Sequence, residues 1–380
     1  MDLEQCRTQL DNIDRQIVQL FMQRMQVTED VAKAKIAMGR NVLDRDREQA
    51  KIRSVRAMAD TDFNKEGITE VYRQLMALSR KRQYQLITAA EQKKKLPFIP
   101  VDTIIEDGIR VVYQGAAGSY SEAAMKAFFG SQVNSITAAT FRDAMVAIEE
   151  GSADYAVLPI ENSTAGIVSE IYDLLIEFEN YIVGEITIPI HHCLMGCEGT
   201  TEDTIRRVYS HPQSLMQSEK FLLQHPEWEQ ISMKNNAFAA QKVAKDKDTA
   251  EAAIASRYAA EAYGLHIIRE GVNQAASNST RFIVVGNQKI FTRDADKISL
   301  VLEIENVSGS LYELLSHFIY NNLNMTKIES RPIEDRDWDY RFFIDFDGNL
   351  GESAVQNALR GLRDEAKSMK ILGNYKARKI

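Results

Sequence analysis

The sequence predicts a chain of mixed class: an all-helical N-terminal domain, a larger α/β domain with room for two lobes, and a small βαββαβ domain at the end. Three observations carry that expectation. The first proline is Pro97 and only Gly39 and Gly67 precede residue 96, so the opening segment lacks breakers and reads as helical. Between about residues 109 and 286, short β-rich runs alternate with helical ones, the pattern of a parallel α/β sheet. The tail then shows the order strand, helix, strand, strand, helix, strand, which is the ferredoxin-like split unit.

Charge follows the same division. Through residue 95 there are 19 Lys+Arg against 14 Asp+Glu, leaving 27 against 40 for the remainder and a formal net charge of -8. A basic segment on an acidic chain points to an anionic ligand for the N-terminal part, and the overall acidity argues against general nucleic-acid binding. Cys6, Cys193 and Cys197 are too few, and odd in number, for a disulfide scaffold. No apolar run approaches the ~18–20 residues that span a bilayer, and Met1-Asp2-Leu3-Glu4-Gln5 does not open like a signal peptide. A soluble cytoplasmic protein with no membrane partner is expected.

In the helical segment, Leu10, Ile13, Ile17, Leu20, Val27 and Val31 follow 3–4 spacing and form one apolar seam. Arg24 falls within that seam, where a guanidinium requires a partner anion. Lys35 lies only ~20° around the helix from Arg24, so two cations share a face, whereas Arg7 sits ~100° away and points elsewhere. A helix over Leu3–Met38 would be ~54 Å long, too long for a compact monomer of this size, which predicts an intertwined dimer. In the next helix Asp44, Arg47 and Glu48 share one face. In the third, Ile68, Tyr72, Leu75, Met76 and Leu86 form a stripe that Ser79 and Gln83 interrupt one turn apart. Inward cations, a carboxylate and an amide make a pocket for a small polyanion bearing a hydroxyl. With no nucleophile–base pair in sight, positioning and electrostatics must do the chemistry. Arg80-Lys81-Arg82 reads as a solvated helix end.

A charge run with two prolines, from Glu91 to Pro100, reads as a linker. Beyond it, strand-like runs are Val111–Tyr113, Tyr155–Leu158, Arg207–Tyr209 and Arg281–Val285. Helical runs lie near 121–129, 141–150, 165–179, 213–224, 236–245 and 256–263. Gln114-Gly115-Ala116-Ala117-Gly118-Ser119-Tyr120-Ser121-Glu122 follows a strand and opens a helix, where backbone N–H groups favour an anion. Glu161-Asn162-Ser163 ends another strand, and Ser210-His211-Pro212-Gln213 a third, with Gln217 one turn further on. Polar residues at three strand ends suggest one convergent cleft. Asn278-Ser279-Thr280-Arg281-Phe282 precedes the last strand of the domain. His191-His192-Cys193 with Cys197 matches no common zinc spacing and reads as strand-end packing, so no metal is expected.

The tail expectation is a strand at Ile298–Glu305, a helix at Gly309–Asn321, strands at Met325–Ile333 and Tyr340–Asp347, a helix at Ser353–Met369, and a strand at Lys370–Tyr375. Gly309-Ser310-Leu311-Tyr312 sits where the first strand passes into its helix, and glycine there lets a ligand approach the backbone. Glu329-Ser330-Arg331-Pro332 lies on the following strand.

Taken in order, these motifs resemble three families joined in one chain over about residues 3–375. The run Arg7, Arg24, Lys35, Asp44 to Glu48, Ser79 and Gln83 resembles the all-helical chorismate mutases. That resemblance implies a cofactor-free rearrangement of chorismate to prephenate. Arg24 and Arg47 would hold carboxylates, with Arg7 reaching in from a partner subunit. Lys35 and Gln83 would bond the ether oxygen, Glu48 assisted by Asp44 would take the ring hydroxyl, and Ser79 would contact a carboxylate. The central motifs resemble prephenate dehydratases, implying two lobes of periplasmic-binding-protein type and conversion of prephenate to phenylpyruvate. Thr280 would be the catalytic hydroxyl, Arg281 would bind a carboxylate or support the site, and Glu161, Asn162, Ser163, Ser210 and Gln217 would serve the substrate. Gly309, Ser310, Leu311 and Tyr312 with Glu329, Ser330, Arg331 and Pro332 resemble the phenylalanine-binding ACT domain. The implied boundaries are 1–92, a linker at 93–108, 109–287 and 296–376. The rival readings are a non-catalytic amino-acid sensor and a dehydratase preferring arogenate.

Overall fold

Helix α1 runs from Leu3 to Met38. Asp2 caps its start in a reciprocal box with Gln5, and Gly39 ends it in the left-handed conformation at φ +63°. Helix α2 covers Arg45–Arg56 and α3 covers Asp62–Ala90; both α1 and α2 pack on α3. The computed structural model describes residues 2–90, 97–105, 107–275, 277–333, 336 and 339–379. The linker residues Glu91 to Leu96 lie outside that set.

The apolar seam of α1 does not face α3. Leu10, Ile13, Ile17, Leu20, Val27 and Val31 are between 41% and 63% exposed on the single chain. Arg80 and Lys81 correct the expectation of a solvated helix end, because both are 6% exposed. Helix α3 continues past them and packs against the helices Ser310–Tyr320 and Ser353–Glu365. Met1–Pro97 and Ile298–Ile371 accordingly form one compact unit, and Phe98–Lys297 with Leu372–Ile380 the other.

The C-terminal sheet has the strand order Met325–Pro332, Tyr340–Asp347, Lys297–Glu303, Ser368–Tyr375. That is the ferredoxin-like arrangement which the order of elements predicts. Its last helix stops at Glu365, four residues short of the expected Met369. Ala366 is extended there, and the Lys367 N–H donates to Glu303 O at 2.8 Å, joining the sheet.

Among the described residues the second unit holds one short two-stranded sheet and two larger sheets. One orders Tyr181–Pro189, Ser279–Gly286, Tyr155–Asn162, Arg110–Gln114 and Asn134–Ala138. The other orders His266–Glu270, His192–Gly196, Glu251–Ser256, Arg207–Ser210 and Glu229–Ser232. Both are mixed, which corrects the parallel sheet read from the alternating pattern. Ser279–Gly286 is antiparallel to both neighbours, and His192–Gly196 is antiparallel to Glu251–Ser256. The reason is topological: the chain leaves the first lobe after Pro189 and returns at Ser279, so the returning strand runs backwards. Part of the expected linker is also ordered. Ile99–Val101 pairs in parallel with Ile290–Thr292, and Phe98 is buried edge-on to Tyr181.

The lobes approach closely at Gly118. Its φ is +77°, and a Cβ there would lie 2.5 Å from the Ala259 backbone. The Ser256 hydroxyl donates to Gly118 O at 2.6 Å across the same gap.

Candidate active sites

In the helical part, Arg24 meets α3 where the seam reading requires a partner, and that partner is neutral. Its Nη1 donates to Leu75 O at 3.0 Å and to the Ser79 hydroxyl. Thr28 Oγ1 lies 3.3 Å from the same hydroxyl and donates to Arg24 O. Burial pulls the Arg24 pKa down, while Tyr72 and Glu48 oppose that shift. Lys35 Nζ donates to Val42 O at 2.5 Å. Burial lowers its pKa too, against Asp44 and Glu48, which raise it. Gln83 is buried one turn beyond Ser79; its Nε2 donates to Ser79 O at 3.2 Å, and its Oε1 accepts nothing. Lys35 and Gln83 keep spare hydrogens, so both can still donate to a ligand.

Glu48 is half-buried on α2, bound to Arg80 Nη1 at 2.5 Å. Asp44 caps α2 through the Arg47 N–H at 3.0 Å. Arg47 and Arg7 are exposed. Arg7 lies seventeen residues along α1 from Arg24, about 26 Å, and cannot serve the same site in its own chain. Arg24 thus meets Ser79, with Gln83 one turn on, and both Arg24 and Lys35 feel the charge of Glu48, whereas Arg7 lies far along α1 and Arg47 is exposed on α2.

In the α/β unit, a cavity of about 260 Å³ opens between the two sheets. Thr280, Asn162 and Gln217 line it, together with Ser119, His192 and Asn235. Strand alternation decides which motif residues reach it. Thr280 pairs with Asn162 and Arg281 with Glu161 in register. The first pair lines the cavity, and the second is absent from its wall. Arg281 instead donates to Glu161 and to Glu185, each at 2.7 Å, and Lys297 joins Glu185 from another side at 2.7 Å. Ser163 and Ser210 also lie off the wall. The Ser163 hydroxyl accepts from Ser279 N at 3.0 Å; the buried Ser210 hydroxyl donates to Ile254 O at 2.6 Å. Glu161, Ser163 and Ser210, expected to serve the substrate, therefore lie behind the cavity wall, and so does Arg281, for which supporting the site was one of the two expected roles.

The Thr280 hydroxyl accepts from Asn162 Nδ2 at 2.8 Å. Asn162 Nδ2 also donates to Asn278 Oδ1 at 2.8 Å, and Asn278 Nδ2 donates to Gln217 Oε1 at 3.2 Å. Gln217 Oε1 lies 3.0 Å from His192 Nε2, and His192 Nδ1 lies 3.1 Å from the Tyr120 hydroxyl. A polar chain thus runs from Thr280 to Tyr120. Burial lowers the His192 pKa, keeping the ring neutral, and pushes Tyr120 well above the usual tyrosine value. His192 and Tyr120 both line the cavity and fall within stretches that the sequence reading singled out, but that reading gave neither a site role, because their partners come from distant segments. Among the described residues lining the cavity there is no lysine, arginine, aspartate or glutamate. Positive potential comes instead from the N-termini of Tyr120–Phe129, capped by Ser119, and Asn236–Asp246, capped by Asn235.

In the C-terminal domain, Gly309 takes φ +88° immediately before the helix Ser310–Tyr320. The Ser310 hydroxyl donates to Glu305 O at 2.7 Å, Leu311 is half-buried and Tyr312 is 55% exposed. Glu329 to Pro332 close the strand Met325–Pro332, with Ser330 and Pro332 exposed.

Comparisons with known proteins cover both of these regions of the chain. The family model for chorismate mutase type II matches residues 6–84, and that for prephenate dehydratase matches residues 111–290. A bifunctional chorismate mutase/prephenate dehydratase from Pseudomonas aeruginosa is 31% identical, covering 98% of this chain and 97% of its own. One from Escherichia coli K12 is 32% identical, covering 98% and 96%. The structure of a prephenate dehydratase from Arthrobacter aurescens, solved in complex with L-Phe, is 29% identical with a TM-score of 0.65, over 70% of this chain and 89% of that one. Two contiguous family matches, and relatives that align from end to end, place both activities on one polypeptide: the chain belongs to the bifunctional chorismate mutase/prephenate dehydratase family.

Proposed function

We propose that the two steps are divided between the two sites. In the mutase step, Arg24, with Ser79 bracing it, holds one carboxylate of chorismate, and Arg47 holds the other. Charge gathering on the ether oxygen as its bond breaks meets the Lys35 ammonium and the Gln83 amide. Glu48, with Asp44 nearby, accepts the ring hydroxyl. Arg7 completes the site from a second copy. Its distance from Arg24, and the open seam along α1, support an intertwined dimer.

In the dehydratase step, the electrons of the C–C bond to the departing carboxylate enter the ring, CO2 leaves, and the ring hydroxyl is expelled and takes up a proton as water. The observation that carries this reading is the Thr280 hydroxyl in the cavity wall with Asn162 donating to its oxygen. That bond occupies the oxygen and directs the Thr280 hydrogen towards the cavity, at the departing hydroxyl. The helix starts at Ser119 and Asn235 suit the carboxylates of prephenate.

The C-terminal domain, residues 296–376, serves as the phenylalanine sensor, with Gly309 to Tyr312 and Glu329 to Pro332 as ligand motifs. The L-Phe held by the Arthrobacter relative supports this. The remaining boundaries follow as 1–92 and 109–287. No helix among the described residues is long and apolar enough to cross a membrane, and with three free cysteines this supports a cytoplasmic setting.

One assay tests the division of labour. The purified chain is given chorismate, and prephenate and phenylpyruvate are followed with and without phenylalanine. Both products should appear in sequence, and phenylalanine should slow the second. Failure to form either product would end the reading.

A further inference from the structure

Arg80 is 6% exposed and is shared between two carboxylates. Its Nη1 donates to Glu48 Oε2 at 2.5 Å, and its Nε donates to Glu365 Oε1 at 2.8 Å. Glu365 is the last residue of the helix Ser353–Glu365, and its other oxygen lies 3.0 Å from the buried ring nitrogen Nε2 of His317. Gly361 makes room for that ring, since a Cβ there would lie 2.3 Å from it. Side-chain exposures of 7%, 25% and 10% for Arg80, Glu48 and Glu365 set this cluster apart from the nearby Arg45–Glu305 pair, at 48% and 44%. Solvent screens the exposed pair to little effect, whereas breaking the buried one is costly.

The guanidinium fork is the feature that matters. A planar donor array can bind one carboxylate on each edge, which an ammonium point charge cannot do with the same geometry. Glu48 alone is a flexible side chain with several rotamers. Tied to Arg80 it has one position, and Arg80 has one position because Glu365 holds its other edge. The three residues also border a cavity of about 430 Å³ that reaches Ser310, at the start of the helix Ser310–Tyr320.

Resting on the assignment of Glu48 to the ring hydroxyl of chorismate, we propose that Arg80 is a positioning residue for the mutase reaction. We propose with it that the C-terminal βαββαβ domain completes the mutase site by fixing Arg80 through Glu365.

The test uses the full chain. Arg80→Gln should lower mutase kcat about tenfold with much less change in KM, and Glu365→Ala should lower it in the same direction but less. In a Glu48→Gln background, neither substitution should add a further loss, because the group they position is already disabled. Arg80→Lys should restore part of the rate. Dehydration of supplied prephenate should be unchanged, and helical circular dichroism should report a folded chain. If Arg80→Gln does not fold, the Glu365→Ala and Glu48→Gln pair decides alone. Losses that simply add in the double variant, or a folded Arg80→Gln with full mutase rate, would overturn the proposal and leave Glu48 at the substrate. A Glu48→Gln variant with full mutase rate would instead remove the reading beneath it.

Discussion

A threonine hydroxyl is a poor acid, so in the proposed role Thr280 would depend on its neighbours. Asn162 donates to its oxygen, and Asn278 and Gln217 hold Asn162 in turn through the same amide chain. Thr280→Val keeps the shape and removes the hydroxyl. It should cut phenylpyruvate formation about a hundredfold or more while prephenate still accumulates from chorismate. At the far end of the chain, His192 is buried neutral. Its folded pKa lies below the ordinary ~6.5, so the unfolded chain binds a proton that the folded chain refuses. Its contribution to stability is therefore present above about pH 6.5 and lost as pH falls from there through the lowered value. His192→Gln should flatten the acid-side fall in urea midpoint; an unchanged slope would show that other groups control it.

Strands and helices show why motif residues divide as they do. Thr280 and Arg281 are adjacent, yet a strand sends them to opposite faces. Thr280 looks into the cavity, and Arg281 ties Glu161 and Glu185 behind it. Arg281→Met should cost about 3–5 kcal/mol of stability, read as a lower denaturant midpoint, because Glu161 and the buried Glu185 lose a shared cation. A loss of activity at unchanged stability would point to substrate binding instead. Helix α1 shows the same logic on a longer scale. Its 3–4 spacing was legible in the sequence, but its apolar stripe is exposed on the single chain, which is where the proposed second copy would pack. Ile17→Glu should weaken self-association, measured as a shift towards monomer in sedimentation velocity, and should lower mutase rate with it.

Over the whole molecule, two activities on separate sites should come apart by mutation. Lys35→Ala should lose the first step, measured as prephenate formed from chorismate, and still dehydrate supplied prephenate at the parent rate. Loss of both in a folded chain would mean a single shared site.

Sequence alone determined the length of α1, the order of helical, α/β and βαββαβ segments, and the polar residue types at the strand ends of the α/β domain. Each of these is written in local periodicity, in capping residues and in the places of proline and glycine. Only the tertiary structure decided that Arg80 and Lys81 are buried, that Arg80 joins Glu48 to a glutamate 285 residues away, and that His192 and Tyr120 extend the network behind Thr280. The local charge run around Arg80 reads equally well as a solvated face. What distinguishes the two is whether another segment arrives to cover it with a matching carboxylate, and no spacing along the chain records that.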